Sequence, residues 1–223
     1  MPVLSPATQV TRRTAVAALL LSAWARTGAQ AASPAPRAGA PADTAGTPQT
    51  AVFAGGCFWG VDAVFRHVKG VLEVESGYAG GAAGMATYSQ VSSGASGHAE
   101  SVRVRFDPTQ VSYRQLLEVF FRVAHDPTQL NRQGPDVGSQ YRSAIFYTSA
   151  EQQQLALAQV QQLTAAHTYS RPIVTQIVPL QQFHRGEAYH QNYLALHPDQ
   201  PYIVIHDLPK LQHLRQAFPQ LYR

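Results

Sequence analysis

The sequence predicts an α/β (α+β) domain with a split βαβ, ferredoxin-like core: a mostly antiparallel sheet with helices packed on it. Three observations carry that expectation. The apolar run AVFAG at 51–55 gives way, after two glycines, to helical spacing at Val61, Val64, Phe65 and Val68. SVRVRF at 101–106 alternates without a fault, with Val102, Val104 and Phe106 facing one way and Ser101, Arg103 and Arg105 the other. Around these, the segments follow the order βαββαβ and then αβ.

In chain order, residues 51–55 form the first strand, and residues 57–68 the first helix, with Gly70 as its stop. VLEVESGYAGG is the second strand, running into a glycine-rich turn at Gly77, Gly80 and Gly81. A polar loop leads to the alternating strand. The next segment, DPTQVSYRQLLEVFFRVAHDP, sets Tyr113, Leu116, Leu117, Phe120, Phe121 and Ala124 on one helical stripe, ended by Asp126-Pro127. A polar, glycine-bearing loop runs to Tyr141, where YRSAIFYTS begins a fourth strand. AEQQQLALAQVQQLTAAH is a third helix, IVTQIVPL a fifth strand, and the tail is mixed and partly helical.

Ahead of this domain, Arg12 and Arg13, the apolar residues 15–25 and Ala29-Gln30-Ala31 have the three parts of an export signal over residues 1–31. Residues 32–50, rich in Pro, Ala and Gly, read as a flexible linker, so the catalytic domain is expected over 51–223 in an exported, periplasmic or secreted protein. The pI of about 9.4 would suggest nucleic acid. However, four of the 17 Lys and Arg and one of the 13 Asp and Glu precede residue 50, which leaves 13 against 12, too even for a basic patch. No further segment is long and apolar enough to span a membrane.

One cysteine in 223 residues cannot form an internal disulfide. Cys57 is either an inert core residue, the common fate of a lone cysteine, or a reactive thiol. At the turn from strand into helix, free N–H groups and the helix dipole would favour its thiolate, and Gly55 and Gly56 would let a ligand come close. Phe58 and Trp59 could wall a pocket for a small apolar group or simply pack. Glu100 shares the parity of the core-facing residues of its strand. Buried near a thiol it would be neutral and able to donate a proton; at a solvated strand end it would be an ordinary charge. Tyr88, Asp136 and Tyr141 are further polar candidates for the same cavity. The histidines show no zinc spacing, the glycines no phosphate loop, and no metal is expected. These residues leave open a cysteine hydrolase with His98 or His190 as base, a redox enzyme whose sulfur attacks an electrophilic heteroatom, and a binding module in which Cys57 is incidental.

GCFWG at 56–60, GYAGG at 77–81, Tyr88, GHAE at 97–100, DVGSQYRS at 136–143 and YHQNYL at 189–194 closely resemble, in order, the A-type peptide methionine sulfoxide reductases. The resemblance implies reduction of the S epimer of methionine sulfoxide, free or in proteins, with Cys57 as nucleophile and Glu100 as proton donor. Tyr88, Asp136 and Tyr141 would bind the sulfoxide oxygen, and Phe58 and Trp59 the methyl group. It implies no bound cofactor and a monomer whose partners are oxidised proteins or peptides. Many members of that family carry resolving cysteines that this chain lacks, so an external thiol, a thioredoxin-like protein or a small thiol, would recycle a Cys57 sulfenic acid. Asp62, Ser139 and Gly186 depart mildly from the family pattern.

Overall fold

A computed structural model describes residues 46–223. The expected export signal, and the linker up to residue 45, lie outside the described residues. Strand β1 (Gln49–Gly55) opens the domain, two residues earlier than expected, and runs through the centre of a six-stranded sheet. Both of its faces are covered, which is why AVFAG reads as an unbroken apolar run instead of an alternating one. Helix α1 (Phe58–Arg66) follows. It is shorter at both ends than the sequence suggests: Cys57 is its N-cap, and His67 closes it by donating its backbone N–H to the carbonyls of Ala63 and Val64.

Strand β2 (Val71–Ala79) takes Gly77 into the strand, so the turn begins only at Gly80. The expected polar loop contains a short helix α2 (Tyr88–Ser92), started by a capping box in which Thr87 and Gln90 satisfy each other's backbone. Strand β3 (Ala99–Phe106) is the alternating one, and Glu100, Val102, Val104 and Phe106 are all buried. Helix α3 (Tyr113–Val119) starts with a second capping box, Ser112 with Gln115, and widens into a π-helical turn over Phe120–Ala124. That turn brings His125 inward, where one ring nitrogen meets the Phe120 carbonyl at 3.0 Å and the other the Ser143 hydroxyl at 2.7 Å.

The next loop is not wholly irregular. Strands β4 (Arg132–Gln133) and β5 (Asp136–Val137) pair as a small hairpin. Then come β6 (Ser143–Tyr147), α4 (Ala150–Ala165), β7 (Gln176–Pro179) and β8 (Phe183–Arg185). The tail holds a helical turn α5 (Tyr193–Leu196), a π-helical turn over Ile203–Asp207 and α6 (Leu208–Ala217).

The sheet order is β7-β6-β1-β3-β2-β8. It is mixed: β6 and β7 run parallel, while the other neighbours are antiparallel. The parallel pair follows from the connection, since only a long crossover such as α4 returns a chain in the same direction. Residues from α1, α3, α4 and α6 pack on one face around Phe53, whose ring lies 5.1 Å from Phe65 and 4.9 Å from Phe120. Burying an aromatic of this size contributes roughly 1.5–3 kcal/mol. The other face carries small residues, Ala54, Ala79, Ala99 and Ala144, and is covered by Val178, Leu180 and Phe183. Strands β1 and β3 are therefore fixed on both faces, and the start of α1 and the start of β3 are held side by side at one end of the sheet.

Candidate active site

The connection from β1 to α1 is two residues, Gly56 and Cys57, and leaves no freedom in where the sulfur sits. Gly56 has φ +90°, and a Cβ there would lie 2.5 Å from Cβ of Gln133, so only glycine lets the hairpin close over this turn. The close approach expected at Gly55 and Gly56 is thus made by His125 and Gln133 side chains, not left open for a ligand. Cys57 keeps 9% of its surface exposed and lines a cavity of about 180 Å³ with Gln133, Asp136, Tyr202, His206 and Lys210.

Glu100 reaches the same turn from β3. Its carboxyl is 3% exposed and accepts the Phe58 backbone N–H at Oε2, 3.0 Å away. Burial pushes its pKa from 4.5 up to about 8, against the pull of that N–H and helped by Asp136. At neutral pH Glu100 is therefore mostly a neutral acid with a proton to give. The parity of β3 placed it inward, as expected, and the alternative of a solvated strand-end charge does not hold.

The thiolate expected at Cys57 does not. Burial pushes the thiol well above its ordinary range, Glu100 and Asp207 push it further, and the Trp59 backbone N–H and Lys210 only partly oppose them. The helix start fails to ionise the sulfur because α1 is short and its first N–H is spent on Glu100. In the free enzyme both groups hold protons.

Around this pair the structure gathers the other candidates. Phe58 is fully buried, 5.9 Å from the Tyr78 ring and 4.9 Å from His190, and Trp59 is half-buried and stacked on Tyr193 at 3.8 Å. Tyr88 and Tyr141 are half-buried. Burial raises both phenols, and the charges of Glu100 and Cys57 raise them further, which places all four groups within electrostatic reach of one another. Asp136 is half-buried and accepts a hydrogen bond from the Tyr202 hydroxyl.

His98 does not join them. Its Nδ1 accepts the Gly81 N–H at 3.2 Å and its Nε2 meets the Ala82 carbonyl at 2.9 Å, so it staples the turn between β2 and β3. His190 accepts the Trp59 indole N–H on Nδ1 at 3.2 Å and packs the tail on the core. Neither histidine forms a hydrogen bond with Cys57, and a cysteine hydrolase has no oriented base here. Sequence reasoning missed most of what the tail contributes. Tyr193 and Tyr202 frame Trp59, Glu187 accepts from the Tyr78 hydroxyl and the Tyr88 N–H, and Asp207 and Lys210 approach Cys57. Their advance signal was the aromatic and charged content of the tail, of which the sequence singled out only YHQNYL at 189–194 and His190. Among the described residues no group of three His, Cys, Asp or Glu is placed to hold a metal ion.

Comparison with known proteins identifies the family. The family model described as peptide methionine sulfoxide reductase matches residues 49–221. The chain is 55% identical over 174 residues to peptide methionine sulfoxide reductase MsrA 2 of Mesorhizobium japonicum, covering 78% of this chain and 89% of that protein. It is 51% identical to MsrA of Deinococcus radiodurans over 76% of this chain and 82% of that one. Among solved structures, reduced Mxr1 from Saccharomyces cerevisiae superposes with a TM-score of 0.64 at 31% identity, over 71% of this chain and 90% of that chain. Methionine sulfoxide reductase A of Corynebacterium diphtheriae gives 0.61 at 36% identity, over 68% and 76%. A thiol beside a neutral acid suits the reduction of a sulfoxide, and the chain belongs to the peptide methionine sulfoxide reductase family, as an oxidoreductase of its MsrA type.

Proposed function

We propose that this chain reduces the S epimer of methionine sulfoxide, free and in proteins, by attack of the Cys57 sulfur on the sulfoxide sulfur with Glu100 as the acid. A sulfoxide sulfur is a poor electrophile until its oxygen is protonated or strongly hydrogen-bonded. Glu100 gives its proton to that oxygen while the hydroxyls of Tyr88 and Tyr141 hold it, and Asp136 orients the oxygen from the cavity side. Phe58 and Trp59 enclose the methyl group. As the oxygen takes its proton, the Cys57 thiol gives up its own to Glu100 and the sulfur attacks. The oxygen passes with one proton to Cys57, methionine leaves, and Cys57 is left as sulfenic acid. An external thiol, a thioredoxin-like protein or a small thiol, then restores it; the chain has no second cysteine to do so.

The single observation that carries this reading is the buried Glu100, held near neutrality beside the turn that bears the thiol. The test is incubation with separated epimers and dithiothreitol. The S epimer should be reduced and the R epimer left, and Cys57→Ser should reduce neither while keeping its melting curve. Turnover of both epimers, or activity in Cys57→Ser, would refute it. We also propose that residues 1–31 direct export, on the strength of the arginine pair, the apolar stretch and Ala29-Gln30-Ala31. Mass spectrometry of the exported protein should find a new N-terminus at Ala32.

A further inference from the structure

The cavity beside Cys57 is lined by the hairpin residues Gln133 and Asp136 and by Tyr202, His206 and Lys210 of the tail, and apart from Asp136 the sulfoxide chemistry uses none of this wall. Lys210 donates to Oδ1 of Asp207 at 3.1 Å, and Asp207 is wholly buried with its second oxygen, Oδ2, lacking any partner. The pair is seated on bare backbone: a Cβ on Gly60, three residues beyond the thiol, would lie 2.0 Å from Asp207 Oδ1 and 2.6 Å from Lys210 Nζ. A glycine that clears space for an ion pair next to a reactive sulfur, and a buried carboxylate whose visible bond is to that lysine, are more than surface pairing requires.

We propose that Lys210, positioned by Asp207, serves the recycling half of the reaction: it receives the external reducing thiol in this cavity and steadies the charge that develops as the sulfenic acid is resolved. This rests on the reductase reading above and assigns a partner to its second half. The incoming sulfur attacks best as a thiolate, yet the carboxyls of Asp136 and Asp207 stand near Cys57 and disfavour an anion there. The cavity wall answers with Lys210. In the first step the S–OH bond of Cys57 breaks as a disulfide forms to the reductant, and the proton lost by the thiol leaves with the hydroxyl as water. In the second, another thiol of the reductant attacks the reductant's sulfur in that disulfide, Cys57 departs and takes the proton of that thiol, and the reductant ends oxidised. Both steps pass negative charge through the space that Lys210 faces, whereas the sulfoxide step centres on Glu100.

The two halves can be timed separately on the full chain. Methionine released in a single turnover without thiol reports the sulfoxide step. The loss of trappable sulfenic acid after adding dithiothreitol reports recycling, and one equivalent of hydrogen peroxide makes the same sulfenic acid without any sulfoxide. Lys210→Met should slow the dithiothreitol step by about tenfold or more and the methionine burst by less than about threefold, the asymmetry expected of a charge that acts mainly on one transition state. Lys210→Arg should recover most of the lost rate, and Asp207→Asn should fall between them. If Lys210→Met fails to fold, Lys210→Gln keeps the stem and carries the same expectation. Equal slowing of both halves, or a dithiothreitol step unchanged in the neutral variants, overturns the assignment. Absence of the burst in the unsubstituted chain would instead count against the reductase reading, and the peroxide route would still decide the role of Lys210.

Discussion

Of the buried carboxyls close to the start of α1, Asp62 and Glu100 differ most in how they are answered. Asp62, on the helix, is 1% exposed and receives two hydrogen bonds from Arg66, at 2.6 and 3.1 Å, while the same guanidinium also donates to the Val74 carbonyl. Glu100, on β3, is 3% exposed and receives a single backbone N–H. Burial raises both, but Arg66 limits Asp62 to about 6, whereas Glu100 rises to about 8. A buried acid given a full counter-charge ties elements together; one left with a lone N–H is kept protonated and ready to act. The two should therefore respond oppositely when neutralised.

The largest effect belongs to Glu100. Replacing it by Gln keeps shape and the acceptor for Phe58 N–H but removes the proton, and the single-turnover release of methionine should slow by roughly 10²-fold or more. Its pH dependence sharpens the point. With its pKa raised to about 8, Glu100 loses its proton as pH climbs through that value, so the wild-type single-turnover rate should fall on the alkaline side. The fall is read after subtracting any rise from Cys57 ionisation, measured separately by alkylation. A falling limb that survives in Glu100→Gln would assign it to another group.

Asp62→Asn should do the reverse, leaving the single-turnover rate within a few-fold and changing stability instead, by an amount that depends on whether Asp62 is ionised. The sign with pH is fixed by the direction of the shift. A carboxyl whose pKa rises on folding, here from 3.8 to about 6, stabilises the fold most at low pH and loses that contribution as pH rises through the interval. Urea unfolding should show the wild type losing stability relative to the Asn variant as pH rises between those limits, with a constant difference above them. A rate loss comparable to that of Glu100→Gln would erase the distinction between the two carboxyls.

The same contrast explains what the sequence disclosed. Glu100 was legible because β3 alternates: two residues before Val102, its side chain had to face the core, and strand periodicity fixes that without tertiary information. Cys57, Phe58 and Trp59 were legible because a strand, two glycines and a helical pattern leave few places for a turn. The ionisation of Cys57 was not, because it depends first on how deeply the fold buries the sulfur and then on Glu100 and Asp207, which only the tertiary structure brings near it. The tail was least legible. Tyr202 precedes a π-helical turn that Asp207 ends and Lys210 follows on the next helix, so their spacing obeys neither the 3.6-residue nor the two-residue rule, and Asp207 reaches its buried place only because Gly60 has no side chain. The parallel return of β7 likewise depends on how α4 crosses the sheet, a choice that β-propensity does not encode.

The smallest expected effect tests how far this tail shapes the first half-reaction. Tyr202 donates its hydroxyl to Asp136, and burial, Cys57 and that bond all hold the phenol above its usual range, so it remains a donor at any working pH. Tyr202→Phe keeps the ring edge against Trp59, 6.1 Å between centroids, and removes only the hydrogen bond. Asp136, released, would gain freedom to turn and a stronger negative charge beside Glu100, which raises the acid further without touching its proton. A loss of one neutral donor to a carboxylate is worth about 1 kcal/mol, which converts to a few-fold change in the apparent KM for the sulfoxide with kcat nearly constant. If kcat falls as far as in Glu100→Gln while KM holds, the phenol of Tyr202 acts on the transition state itself, and the acid has a partner on the tail.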